Sequence, residues 1–105
     1  LASSAVKELY ARGGKIIALV KPQFEAGKSA LDKHGVVKKP SDHVRVLEGM
    51  LIFASNLGYK VSGLIPSPIC GGDGNREYLI YLADSIADIN TSETVKNAFS
   101  DPNKK

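Results

Sequence analysis

A short apolar run that ends in a lysine and a proline constrains the fold of this chain more than any other stretch. In residues 15–20, apolar side chains occupy both odd and even positions, which is typical of a strand covered on both faces, as in a parallel sheet. Pro22 lacks the backbone N–H that a sheet ladder needs, so the strand should end near Lys21. Because open α/β sheets bind ligands at the carboxyl ends of their strands, Lys21 is a candidate functional residue.

Helices are predicted on both sides of this strand. Residues 1–12 carry apolar side chains at helical spacing and are followed by two glycines, where a helix can end. Residues 41–57 carry a longer apolar stripe, with Ser41 as the expected N-cap and Gly58 just beyond the last turn. This second helix is long enough to cover one face of a sheet.

Two further strands are predicted at residues 59–65 and 76–83, which are rich in Tyr, Val, Leu and Ile. In the first of them, alternation predicts one shared face for Tyr59, Val61, Gly63 and Ile65. The segment between the strands is too short for a crossover helix, so they should pair as an antiparallel hairpin. Glycines and polar residues fill its loop, which suits either close approach to a ligand or plain turns.

The order of elements therefore predicts an α/β fold. Helix, buried strand, helix, strand, long hairpin and strand describe the closing half of a doubly wound sheet with an antiparallel edge. A parallel neighbour for the first strand would have to come from residues before Leu1, so we expect the chain to be cut from something longer. Without that neighbour, an exposed sheet edge should pair with another copy of the chain.

Residues 24–39 lack periodicity and predict a basic connection rather than a core element. The net charge of +3 permits an anionic partner without demanding one. A solvated loop and a surface that contacts RNA phosphates both remain open. The lysines of the second interpretation are Lys28, Lys33, Lys38 and Lys39.

Other site classes have little support in the sequence. The chain has one cysteine, Cys70, and two histidines, His34 and His43, so there is no cluster with the spacing of a metal site. A lone thiol cannot form an internal disulfide and fits a reducing cytoplasm. No apolar run approaches the roughly 20 residues that a membrane-spanning helix needs.

Several blocks of the chain resemble the TlyA-type family of haemolysin-named, FtsJ-like ribosomal RNA methyltransferases. The resemblance covers about residues 1–83, and residues 84–105 are expected to be an extension with a short helix and a polar tail. The blocks occur in the family's order and spacing, which is more specific than any one motif. They are Leu19-Val20-Lys21-Pro22-Gln23-Phe24-Glu25-Ala26-Gly27-Lys28, Gly35-Val36-Val37-Lys38, Pro66-Ser67-Pro68-Ile69 and Gly74-Asn75-Arg76-Glu77-Tyr78-Leu79.

The resemblance implies a class I, Rossmann-like methyltransferase fold, with the three strands here as the fifth, sixth and seventh of its sheet. It also implies transfer of a methyl group from S-adenosylmethionine to ribose 2′-hydroxyls of ribosomal RNA, with a Lys-Asp-Lys-Glu tetrad. Lys21 would be the second lysine and Glu77 the glutamate, while Ser67 and Asn75 would position the substrate. The other two tetrad members, the cofactor-binding residues and an S4-like RNA-binding domain would lie upstream, so no cofactor-binding residue is expected in this chain.

This assignment has competitors. A lysine can take a proton from a ribose hydroxyl only in its neutral form, and Glu77 would then orient the lysine or the ribose. Lys21 and Glu77 could instead form a plain ion pair across neighbouring strands. At the level of the whole protein, the alternatives are a membrane-lytic haemolysin and a non-catalytic RNA-binding module that keeps only the basic loop.

Overall fold

The computed structural model describes residues 3–68 and 74–100, and Cys70 lies outside them. Helices and strands alternate along the described chain as an α/β fold. The elements are α1 (Ser4–Ala11), β1 (Ile16–Val20), α2 (Pro22–Glu25), α3 (Pro40–Asn56), β2 (Lys60–Pro66), β3 (Tyr78–Ala83) and α4 (Thr91–Ser100), with a short 3-10 turn at Lys28–Ala30.

The described strands form one sheet of 3 strands in the order β1-β3-β2. β3 is antiparallel to both neighbours, so β1 and β2 run in the same direction on either side of it. The predicted antiparallel hairpin of β2 and β3 is therefore confirmed. The register also aligns the ends of all three strands, because Val20 and Pro66 both pair with Tyr78.

A β-bulge in β2 changes which of its side chains share a face. Val61 pairs with Leu82, but the next pair is Gly63 with Tyr81, so Ser62 is the extra residue. An extra residue reverses the alternation of the residues after it. The expectation of a single face for the odd-numbered residues of this strand is therefore wrong beyond Ser62, and Leu64 turns to the core while Ile65 is 55% exposed.

The sheet has one covered face and one open face among the described residues. The covered face contributes Leu64, Ile80 and Leu82 to the core, and α3 and α4 pack against β2. On the other face, Ile17 is 69% exposed and Leu19 is 47% exposed. The prediction that β1 is covered on both faces is thus not met by the described part of the chain.

The N-cap of α3 lies two residues earlier than expected. Pro40 is the first helical residue and Lys39 occupies the N-cap position without a side-chain cap hydrogen bond. Proline is favoured there because its missing N–H would have no helical partner anyway. Ser41 therefore lies inside the first turn and is not the cap, which corrects the sequence prediction.

The basic connection is more structured than a solvated loop. Ala26 is 6% exposed and Val37 is 2% exposed, and both belong to the main core. Asp32 folds the segment back on itself, because its Oδ1 accepts hydrogen bonds from the backbone N–H groups of His34 at 2.8 Å and Val36 at 3.0 Å. The expectation of a basic connection rather than a core element is therefore wrong for these two apolar residues.

α4 completes the core. Its Val95 and Ala98 are each 1% exposed and join the cluster formed by the sheet and α3. The side-chain oxygen of Asn90 accepts a hydrogen bond from the N–H of Glu93 at 3.0 Å, as an N-cap does. None of the described helices combines the length and the apolarity that crossing a membrane requires.

Candidate active site

Lys21 lies where the sequence places it, at the carboxyl end of β1. It follows Val20 directly and occupies the N-cap position of α2, whose first residue, Pro22, is buried. The lysine is partly buried, and its carbonyl oxygen accepts a hydrogen bond from the N–H of Phe24 at 2.9 Å. The strand end and the one-turn helix together fix the backbone from which the lysine extends.

Glu77 lies at the same end of the sheet. It immediately precedes Tyr78, which pairs with Val20 of β1 and with Pro66 of β2. The N–H of Ser67 donates to the carbonyl oxygen of Glu77 at 2.8 Å, which continues the hairpin by one residue. Three of the predicted site residues, Lys21, Glu77 and Ser67, therefore follow or precede the paired ends of neighbouring strands.

The carboxylate of Glu77 is held by a residue that the sequence did not single out. Glu77 is 8% exposed, and its Oε2 accepts a hydrogen bond from Nε2 of Gln23 at 2.8 Å. Gln23 lies on α2, two residues after Lys21. A hydrogen bond to a charged acceptor is stronger than one between neutral groups, so this contact fixes the carboxylate against α2. The only sequence feature that could have indicated a role for Gln23 was its position two residues after Lys21.

Lys21 and Glu77 do not form a salt bridge within the described residues. The described ion pairs join Arg12 to Glu8, Lys38 to Asp32 and Arg45 to Asp42. The ammonium of Lys21 instead lies 5.6 Å from the ring centroid of Phe24. The geometry therefore gives no support to the ion-pair interpretation.

Asn75 has a different position from the one that substrate contact would suggest. Its Oδ1 accepts a hydrogen bond from the N–H of Val37 at 3.1 Å, and its Nδ2 donates to the carbonyl oxygen of Gly35 at 3.0 Å. The side chain is 4% exposed. Asn75 thus fastens the basic connection to the start of β3.

The four lysines predicted to contact RNA are all exposed. Lys38 is the one with a described ionic partner, because its Nζ lies 3.2 Å from Oδ2 of Asp32. The backbone N–H of Val36 and then that of His34 lower the pKa of Asp32, and the Lys38 ammonium adds to this effect. Three lysines, Lys28, Lys33 and Lys39, remain with no described acidic partner.

His43 is a buried polar residue that contacts Tyr78, the residue after Glu77. It is fully buried, with Nδ1 at 2.8 Å from the Tyr78 hydroxyl and Nε2 at 2.7 Å from the Val37 carbonyl oxygen. A carbonyl only accepts, so Nε2 carries the proton and Nδ1 accepts from Tyr78. Burial lowers the pKa of His43, and burial likewise raises the pKa of Tyr78. Sequence reasoning assigned His43 no functional or structural role.

These observations can be set beside known proteins. The family model of FtsJ-like methyltransferases matches residues 2–84. The chain belongs to the FtsJ-like methyltransferase family. Among curated proteins, it is 47% identical over 77 residues to YqxC of Bacillus subtilis, a provisionally named rRNA methyltransferase. It is 39% identical over 71 residues to the 16S/23S rRNA (cytidine-2′-O)-methyltransferase TlyA of Mycobacterium tuberculosis.

A solved structure has the same fold. The crystal structure of a provisionally named haemolysin from Lactococcus lactis superposes with a TM-score of 0.77 at 38% identity, covering 84% of this chain and 44% of that one. The match to YqxC covers 73% of this chain and 27% of YqxC, and the match to TlyA covers 68% and 26%. The chain therefore spans about a quarter of the length of these two curated relatives.

FtsJ-like methyltransferases depend on S-adenosylmethionine. A nucleoside cofactor of this kind is usually held by a glycine-rich turn after a strand and an acidic side chain on its ribose. In the described residues at the carboxyl edge, the turn from β1 into α2 contains Lys21 and Pro22 instead. The described part of the chain therefore lacks a glycine-rich turn after β1. It also contains no group of three side chains suited to a metal ion.

Proposed function

We propose that this chain carries the C-terminal part of the catalytic domain of an enzyme that methylates ribose 2′-hydroxyls of ribosomal RNA. The observation that carries the proposal is the placement of Lys21 and Glu77 at one end of neighbouring strands in a chain of the FtsJ-like family. The name of TlyA supports the ribose 2′-oxygen as the target.

We further propose that the sheet is one half of a Rossmann-like methyltransferase sheet. In support, β3 is an antiparallel strand inserted between two strands that run the same way. β1, β2 and β3 would be the fifth, sixth and seventh strands. The open face and the free edge of β1 suit further elements of such a sheet, which would also supply the cofactor-binding groups. By this proposal the chain alone is inactive, and residues 84–105 form an extension of the catalytic domain.

Lys21 and Glu77 would have separate roles in the reaction. S-adenosylmethionine supplies the methyl group when bound. Lys21 would accept the proton that the ribose hydroxyl loses as its oxygen is methylated, a step that first requires loss of a proton from its own ammonium. Glu77 accepts hydrogen bonds and orients the lysine or the ribose, and Gln23 holds its carboxylate in one position. Burial of Glu77 at 8% exposure limits competition from water for that orientation.

The basic connection would hold the RNA backbone. Lys28, Lys33 and Lys39 are exposed and can neutralise phosphates without reading sequence. Ser67, which is 7% exposed beside Glu77, would help position the ribose. Asn75 would act through the loop that it fastens. An enzyme acting on ribosomal RNA or ribosomal subunits would work in the cytoplasm.

The decisive experiment is methyl transfer by the full-length protein with Lys21→Ala. Loss of a general base typically costs 100- to 10,000-fold, so activity on ribosomal RNA should fall by about that factor. Lys15→Ala is the matched control, because Lys15 is exposed just before the same strand, at its opposite end. Activity is measured as transfer of a labelled methyl group, and binding of S-adenosylmethionine by calorimetry should be nearly unchanged.

A Lys21→Ala protein with wild-type activity would overturn the catalytic assignment. A wild-type protein that binds ribosomal RNA but never methylates it would favour the non-catalytic RNA-binding module. The membrane-lytic alternative draws support from the haemolysin name of the Lactococcus structure. It requires an apolar helical face free to enter lipid, yet α3 buries Val46, Leu47 and Ala54 against the protein core. Leakage of liposomes by the purified protein would revive it.

A further inference from the structure

Phe24 is an aromatic side chain turned to solvent beside the candidate active site. It is 74% exposed, whereas Phe53 on α3 is 46% exposed and Phe99 on α4 is partly buried in the core. A single exposed apolar residue is common on protein surfaces and needs no explanation by itself. Its position, however, is set by the elements that carry Lys21 and Glu77.

One backbone contact and one ring contact place Phe24 next to Lys21. The N–H of Phe24 donates to the Lys21 carbonyl oxygen at 2.9 Å, and the Lys21 ammonium lies 5.6 Å from the ring centroid. The side chain of the neighbouring Gln23 donates a hydrogen bond to the Glu77 carboxylate. The ring therefore stands at the rim of the site, and a cation faces it at the distance of a cation–π contact.

The surroundings of Phe24 distinguish it from the exposed apolar side chains of the sheet. Ile17 and Leu19 form part of a continuous apolar sheet face with Ile65. Phe24 is followed by Glu25, which is exposed, and then by a buried alanine and an exposed glycine and lysine. A lone aromatic ring among polar groups offers one flat apolar surface, which suits a planar ligand better than another protein's apolar face.

An RNA base is a planar ligand of this kind. Unpaired bases in RNA are splayed out and stack on aromatic side chains, and the contact tolerates any base because every base has a π-face. A ribose hydroxyl that must reach Lys21 belongs to a nucleotide whose base lies beside it. The aromatic ring three residues after Lys21 is therefore placed to receive that base.

We propose that Phe24 stacks on the base of the target nucleotide, unstacked from its neighbours, and so holds the ribose against Lys21. This inference rests on the proposed function. It assigns this chain a substrate-binding residue for single-stranded or looped RNA, in addition to the exposed lysines that contact phosphates. Since stacking is insensitive to base identity, Phe24 selects an unpaired nucleotide and not a particular base.

The test compares Phe24→Ala and Phe24→Trp in the full-length protein. A lost stacking contact weakens binding of a single-stranded oligoribonucleotide, and raises KM for RNA, by between about 5-fold and 100-fold. Phe24→Trp keeps the stacking face and should bind like the wild type. Phe53→Ala is the matched control, because it removes an exposed phenylalanine on α3 and should change neither quantity.

A spectroscopic readout separates stacking from catalysis. These 105 residues contain no tryptophan, so F24W adds a reporter whose fluorescence should be quenched by single-stranded RNA and much less by the same RNA annealed to its complement. Unchanged fluorescence, or unchanged RNA affinity in F24A, would overturn the inference. So would loss of folding in F24A by circular dichroism, which would show that the ring packs within the protein. Quenching of F24W in a protein without methyl transfer would support stacking while the proposed reaction fails.

Discussion

Two polar contacts at the same end of the sheet, one buried and one partly buried, differ in how many of their polar atoms have protein partners. Both ring nitrogens of His43 have partners, the Tyr78 hydroxyl and the Val37 carbonyl oxygen. Gln23 donates to Glu77, but its own Oε1 is buried and has no partner among the described residues. All polar atoms of the His43 ring therefore have protein partners, whereas one polar atom of the Gln23 amide has none among the described residues.

The difference indicates what each contact does. A buried network with every member satisfied fixes one packing arrangement, and His43 thereby joins α3 to β3 and to the basic connection. A buried polar atom that has no protein partner leaves a hydrogen bond for another group, such as a water molecule or a ligand. We therefore expect changes at His43 to alter stability, and changes at Gln23 or Glu77 to alter activity.

The largest expected effect is on stability, in His43→Ala. Removing the ring leaves a cavity and two unpaired polar groups, on Tyr78 and Val37, which should lower the free energy of unfolding by about 3 kcal/mol. Urea denaturation measures the change, and His34→Ala, at an exposed position, should cost less than about 0.5 kcal/mol. The double variant His43→Leu with Tyr78→Phe should recover part of the loss. Equal stability of the two alanine variants would contradict the structural role of His43.

The next effect is on activity, in Glu77→Gln. This change keeps the shape of the side chain and its contact with Gln23 but removes the charge that orients Lys21 or the ribose. Methyl transfer should fall by about 100-fold, within the range for lost electrostatic positioning of a reacting group, while the urea midpoint stays near that of the wild type. A protein that unfolds early but keeps its specific activity would place Glu77 with His43 as a structural residue.

A smaller effect is expected for Gln23→Met, which keeps the length of the side chain and removes its donor. Glu77 would lose one hydrogen bond and move more freely, so kcat should fall by about tenfold with KM for RNA nearly unchanged. Gln23→Lys retains a donor and should restore part of the activity. If Gln23→Met has full activity while Glu77→Gln is inactive, Gln23 does not position the carboxylate.

The smallest effect is a pH dependence of stability from His43. Burial lowers its pKa in the folded protein below the ordinary value of 6.5, so below pH 6.5 the unfolded chain binds more protons. The stabilisation is present above pH 6.5 and is lost as the pH falls toward the folded pKa, at no more than about 1.4 kcal/mol per pH unit. Urea unfolding from pH 7.5 downward measures the slope, which should be lower in His43→Phe than in the wild type.

Local sequence patterns predicted most of the elements and one half of the candidate site. The ends of α1 and β1 and the pairing of β2 with β3 followed from glycine, proline and linker length. The position of Lys21 followed from Pro22, which ends the strand. The reversal of faces in β2 could not be predicted from local sequence, because Ser62 is recognised as an extra residue only when its pairing with β3 is known.

The contacts that give the site its geometry join residues far apart in the chain. Gln23 and Glu77 are 54 residues apart, and His43 and Tyr78 are 35 apart. No local periodicity encodes such pairs, because they depend on the insertion of β3 between β1 and β2. The open sheet face likewise could not be predicted, because β1 has apolar side chains at both odd and even positions and its sequence does not show which face is covered.

The sequence by itself thus determined where the first strand stops and which lysine stands at its end, since proline acts on its own residue and the one before it. The tertiary structure decided what that lysine faces. It placed Phe24 beside the Lys21 ammonium and gave the Glu77 carboxylate a hydrogen bond from Gln23. It also buried His43 with hydrogen-bond partners for both ring nitrogens. These outcomes depend on strand order and burial, which are properties of the whole packed chain.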